Sequence, residues 1–166
     1  MKRQRRSRGS GVLEFALVGV PMIFTFISIS EMARAMWTYQ TLAYAAKETG
    51  AYVSVHGSHC GGSNSCLLTV GNVATAAEGY AIGLYSGTLN MTLTSPSATY
   101  TCSPISSCTS NSTTFPPTAD QAVGTAVQVK LQYQFNSALA MVWPGASPTN
   151  FGTYNLGAYS KQRVVF

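Results

Sequence analysis

The sequence predicts an α+β fold in which a long N-terminal helix, its first half transmembrane, packs on a second helix and a small antiparallel sheet. Three observations predict it. An 18-residue apolar run follows a basic leader, apolar residues then continue at helical spacing without interruption, and the C-terminal half alternates apolar and polar residues with period two. Of the 166 residues, 46% are hydrophobic and only 9% charged, against roughly 25% charged in soluble domains. So much apolar material excludes a disordered chain, and the length allows one small domain plus an anchor. Five acids and two histidines leave few groups from which to build a catalytic constellation.

The net charge of +5 is unevenly placed. Lys2, Arg3, Arg5, Arg6 and Arg8 stand in residues 1–9 with no acid among them, whereas residues 10–166 hold five bases and five acids. A basic arm for nucleic acid has this composition, but here the apolar run follows at once. That order is the signature of a membrane span whose basic flank stays in the cytoplasm. Val12 to Ile29 contains one charge, Glu14, and approaches the roughly 20 residues that cross a bilayer as a helix. A cleaved secretory signal has a shorter apolar core and ends at a small-residue site. Here the helical pattern runs on through Ala33 and Ala35 in a seam of Met36, Tyr39, Ala43, Ala46, Gly50 and Val53. One helix is therefore expected from about Ser10 to about Val55, the first half in lipid and the second in water. Pro21 lacks the amide that would bond the Leu17 carbonyl, so the helix is expected to bend or weaken there.

Glu14 is the informative exception, because a carboxylate near a span costs a few kcal/mol and is kept for function or for its place near a helix start. Glu31 and Arg34 are the first charges after the apolar run and mark the membrane boundary. The organisation that follows is a basic leader over 1–9, the transmembrane part of the helix over 10–30, and a periplasmic α+β domain over 31–166.

Beyond His56 the composition shifts to Gly, Ser, Asn and Thr, and HGSHCGGSNSC carries His56, His59, Cys60 and Cys66. Those are four zinc-type donors, but the spacing of the two cysteines does not match the short hook of zinc sites. Cys102 and Cys108 repeat the same spacing. With the leader inside, all four cysteines lie in an oxidising compartment, where bridges Cys60 to Cys66 and Cys102 to Cys108 are the default. Crossed pairings and metal binding are the alternatives. Val70, Val73, Ala74, Ala77, Ala81 and Leu84 predict a second helix from about Leu67 to Tyr85, with Gly79 and Gly83 packing on the first helix and Gly87 ending it. Strands follow at Leu89, Met91 and Leu93, at Val127 to Phe135, and more weakly at Tyr154, Leu156 and Ala158. No phosphate cradle, metalloprotease helix or nucleophile triad is spelled out, so the chain reads as a non-enzyme without metal or cofactor.

A basic leader, Gly9, Ser10-Gly11-Val12-Leu13, the pair Glu14-Phe15 and then the apolar run resemble the processing site of type IV prepilin-like proteins of the tight adherence (Flp) system. The stretch from Gly11 to Gly57, with EFALVGVP, EMARAMW and TLAYAAKETGAYVSVHG, is similar to the TadE-like minor pilins or pseudopilins. The resemblance implies a pilin-like layout, cutting by prepilin peptidase between Gly9 and Ser10, and an assembly role for Glu14 and Phe15. Gly11 is the competing glycine. The implied partners are prepilin peptidase, other pilins or pseudopilins, the inner-membrane assembly platform and membrane lipid, with no nucleic acid. The implied location is the inner membrane, N-terminus cytoplasmic, or the pilus itself. The alternative is a single-pass membrane-anchored periplasmic binding domain that never enters a filament.

Overall fold

A computed structural model of the chain describes residues 10–57, 68–138 and 153–165. The order is α1 (Ser10–His56), α2 (Val70–Tyr80), β1 (Leu89–Thr94), β2 (Thr99–Cys102), β3 (Ala126–Asn136) and β4 (Thr153–Arg163). At 47 residues and about 1.5 Å per residue, α1 is about 70 Å long. It is continuous through Pro21. Inside the apolar half the hydroxyls of Thr25 and Ser28 donate to the carbonyls of Pro21 and Phe24 at 2.9 and 2.8 Å, so the helix satisfies its own polar side chains there.

Among the described residues, only the second half of α1 is buried against the rest of the protein. The seam expected at Met36 and Tyr39 lies elsewhere: Met36 is 59% and Tyr39 50% exposed, while Thr38, Leu42, Ala45, Ala46, Thr49, Gly50 and Val53 are buried. The last turns obey the expected face and the first turns do not. The reason is steric, because the sheet lies close to α1. A Cβ on Gly50 would stand 2.6 Å from the Ser160 hydroxyl. Small residues and threonines therefore take the contact, and the bulky Met32, Met36 and Tyr39 form a neighbouring exposed strip.

The second helix is shorter than the pattern suggests. Thr69 caps it, its hydroxyl accepting from the Asn72 amide at 3.1 Å, and Val70, Val73, Ala74 and Ala77 form its buried face. It stops at Tyr80 because Gly83 takes φ +80°, a left-handed conformation that ends helices. Gly83 also lets the chain pass over Trp37, whose ring would meet a Cβ at 2.8 Å. Gly87, expected as the terminator, sits in a 3-10 turn over Ser86–Thr88, and Gly79 faces open space.

The sheet is antiparallel with order β2-β1-β3-β4. Leu89 lies opposite Tyr133 and Leu93 opposite Val129, and Ala126 and Asn136 lie opposite Arg163 and Thr153. Alternation sends Leu89, Met91, Leu93, Val127, Val129, Leu131 and Phe135 into the core with Ala158 of β4. Tyr154 is exposed, at the start of an edge strand covered from one side. A fourth strand, β2, was not expected; it pairs Met91 with Cys102 and Thr94 with Thr99. The sheet is tied to α1 at both ends. The Val165 amide donates to the Ser54 carbonyl at 3.0 Å, and the Ala138 amide to Glu31 Oε2 at 3.1 Å.

Thr49 is fully buried on α1 and its hydroxyl has no partner among the described residues. Thr49→Val should raise stability by about 1 kcal/mol, since an unsatisfied buried hydroxyl is replaced by a methyl of the same shape. Gly83→Ala should lower it by about 1–3 kcal/mol through the left-handed φ and the Trp37 contact. Denaturant titration of both variants checks this.

Candidate functional site

The first half of α1 presents its side chains outward. Val12, Leu13, Phe15, Leu17, Val18, Ile23, Phe26 and Ile29 are all exposed, and no residue of the apolar window is buried within the protein. Helix α1 is long and apolar enough to cross a membrane and fits a single-pass anchor. Ser10 is its first residue; Gly9 lies outside the described residues. Glu14 stands just beyond the first turn, where unpaired helix amides give a positive partial charge. The Phe15 ring packs along the helix beside Gly19, 3.7 Å from where a Cβ would be.

Two residues after Ile29 the environment changes. Glu31 is only 8% exposed. Its Oε1 accepts from the Arg34 guanidinium at 2.5 Å and its Oε2 from the Ala138 amide. Burial pushes its carboxyl pKa up, but hydrogen bonds from Ser137, Arg34 and the Ala138 amide, with the charge of Arg34, outweigh that and hold it below the usual range. The Arg34 guanidinium also lies 5.4 Å from the centre of the Phe135 ring, a cation–π contact. Glu31 and Arg34, paired one turn apart on α1, therefore clamp the end of β3 beside the emerging helix.

Cys102 and Cys108 form a disulfide with Cα atoms 5.7 Å apart. It closes the end of β2 onto a 3-10 turn over Ile105–Cys108, and Ile105, Cys102 and Cys108 are all buried in the core. Cys60, Cys66 and His59 lie outside the described residues. His56 stacks on Tyr52 with ring centres 4.4 Å apart and bonds the Tyr52 carbonyl through Nδ1. Among the described residues no group of three or more His, Cys, Asp or Glu side chains is placed to hold a metal.

Asp120 stands in a Pro-rich, polar stretch of the sequence, FPPTADQ. In the structure it is buried, and its Oδ2 accepts from both the amide and the hydroxyl of Ser97, at 2.9 and 2.5 Å. The hydroxyls of Ser97 and then Ser95 hold its pKa below the usual range, against a smaller opposing effect of burial. This ties the β1–β2 turn to the 3-10 turn at Thr118–Asp120. The partners are 23 residues apart, so no local motif announced them.

A helix whose apolar half is exposed among the described residues, joined to a disulfide-bearing α+β head, fits a protein with a single-helix anchor. Residues 9–50 of this chain match the family described as TadE-like protein, a stretch that takes in α1 from its first residue to Gly50. No curated protein and no solved structure matches the chain.

Because Glu31 and Asp120 both have lowered folded pKa values, their stabilisation is complete above the unfolded values near 4 and is lost as pH falls through the lower folded ones. The melting temperature of the full chain in detergent should therefore be flat near neutral pH and drop below about pH 4. Asp120→Asn should melt lower than wild type at pH 7, with the gap closing toward pH 3.

Proposed function

We propose that this chain is a TadE-like minor pilin or pseudopilin, cut by prepilin peptidase between Gly9 and Ser10 and used in assembly of tight-adherence (Flp) adhesive pili. One observation carries the reading: the basic leader, Gly9, Glu14, Phe15 and the apolar run follow one another in register in the sequence, the apolar run faces outward on α1, and residues 9–50 match the TadE-like family. Positive charge confined to residues 1–9 supports a cytoplasmic leader, with residues 10–30 in the inner membrane and residues 31–166 in the periplasm. A disulfide at Cys102 and Cys108 agrees with that oxidising compartment.

Processing exposes a new amine on Ser10, one turn before Glu14. In a bundle of spans, that amine of one subunit and the Glu14 carboxylate of its neighbour attract by about 4 kcal/mol at 4 Å and an effective dielectric near 20. Assembly then draws subunits together in one axial register. The leader glycine suits this chemistry, because a membrane-embedded peptidase must reach bare backbone. The partners are prepilin peptidase, other pilins or pseudopilins and the assembly platform. The reading gives the protein no catalytic residue. Glu31 and Arg34 hold the head at the membrane surface.

The mature chain should begin at Ser10 and contain 157 residues, 166 less the leader of nine. Mass spectrometry of the protein from cells with active prepilin peptidase tests this, and a chain beginning at Met1 sinks it. Glu14→Ala should be processed normally yet abolish piliation. Full piliation with that variant would remove Glu14 from assembly, and pili formed without the chain at all would favour an anchored binding domain instead.

A further inference from the structure

Between α1 and the end of β3 lies a notch of about 450 Å³, lined by Arg34, Trp37, Thr88, Tyr85, Phe135 and Asn136 among others. Its size is that of a small-ligand site. Its walls are largely aromatic, and its polar groups are one guanidinium, threonine and tyrosine hydroxyls and the carboxamides of Gln134 and Asn136, with no acid among them. Arg34 comes five residues after Ile29, or about 7 Å along the axis. The headgroup layer extends about 5–8 Å beyond the hydrocarbon on each side, so the notch begins at headgroup depth. Side chains on a helix lean toward its N-terminus. Because the N-terminal half of α1 is the half within the membrane, Arg34 and Trp37 lean back toward the bilayer.

The charge also selects an occupant. The nearest acid, Glu31, is engaged by Arg34 and the Ala138 amide and carries a lowered pKa. Arg34 has five N–H donors; one amino group serves Glu31, and Phe135 holds the guanidinium plane in place. The remaining donors suit a phosphate, the group arginine takes in forked geometry. Trp37 and Tyr85 are 55% and 70% exposed, although tryptophan and tyrosine of this kind belong at membrane interfaces.

We infer that this notch seats the phosphodiester headgroup of a phospholipid from the leaflet that α1 leaves at Ile29, with Arg34 on the phosphate and Trp37 and Tyr85 against the headgroup alcohol beyond it. The headgroup fixes how the head leans on the membrane. The inference rests on α1 crossing the bilayer, and liposome flotation reports that separately.

The test uses the full chain in nanodiscs of phosphatidylglycerol and phosphatidylethanolamine, with a photoreactive benzoylphenylalanine in place of the exposed Tyr85. Irradiation should give an adduct heavier by one phospholipid. Arg34→Gln should lower the adduct yield about tenfold, the loss of one charge-assisted contact. Thr88→Trp, which fills the notch and leaves Arg34 intact, should lower it as much. Free glycerol phosphate at millimolar concentration should not compete; if it does, the ligand is a soluble phosphate and the inference fails. Adducts only with protein, or a yield indifferent to both substitutions, also overturn it. A protein that floats without lipid adducts refutes the notch and leaves the anchor standing, whereas a protein that does not float refutes both.

Discussion

Helix α1 must satisfy two solvents along one axis, and the rest of the structure follows from where it changes from one to the other. Between Val12 and Ile29 eleven large apolar side chains stand exposed. At about 1.5–3 kcal/mol for each one removed from water, covering them is worth on the order of 20 kcal/mol. That exceeds the 5–15 kcal/mol of net stability typical of a domain, so no rearrangement of the small head competes with lipid for this surface. Past Ile29 the same helix becomes the spine of the core.

The head in turn depends on the helix for its position. Strand β3 runs back along α1 toward its apolar half, and the sheet is joined to α1 at Ser54 through Val165 after β4 and at Glu31 through Ala138 after β3. From Glu31 to Ser54 the helix rises about 35 Å, close to the length of an 11-residue strand at about 3.3 Å per residue. The sheet thus lies along the whole extramembrane half of α1. Its near edge is fixed by a carboxylate that takes hydrogen bonds from its own helix and from the chain leaving β3. A head braced in this way cannot swing freely on a tether.

Much of this layout is legible in the residues. The extent of α1 and its apolar half are written in apolar run length and helical spacing, and the alternation of Val127 to Phe135 gives the central strand and its inner face. Legibility ends where tertiary contact decides. The apolar strip of Met36 and Tyr39 and the buried strip of Thr38 and Leu42 are neighbours on the same helix, and only the close approach of the sheet, felt at Gly50 against Ser160, selects the smaller residues. The end of α2 depends on Trp37 passing over Gly83. Strand β2 is a four-residue edge too short to show a period, and Asp120 meets Ser97 only through the fold. At the site, the joining of Glu31 to the end of β3 is not readable, because Ala138 stands 107 residues away.

The central claim is that α1 passes from lipid to water between Ile29 and Met36. Genetically encoded spin labels at Val18, Ile23, Ile29, Met36 and Tyr39, all exposed positions, measure it directly in reconstituted bilayers. Collisions with oxygen should dominate at the first three positions and collisions with a water-soluble nickel complex at the last two. Nickel access along the whole series, or oxygen dominance extending to Tyr39, would contradict the account.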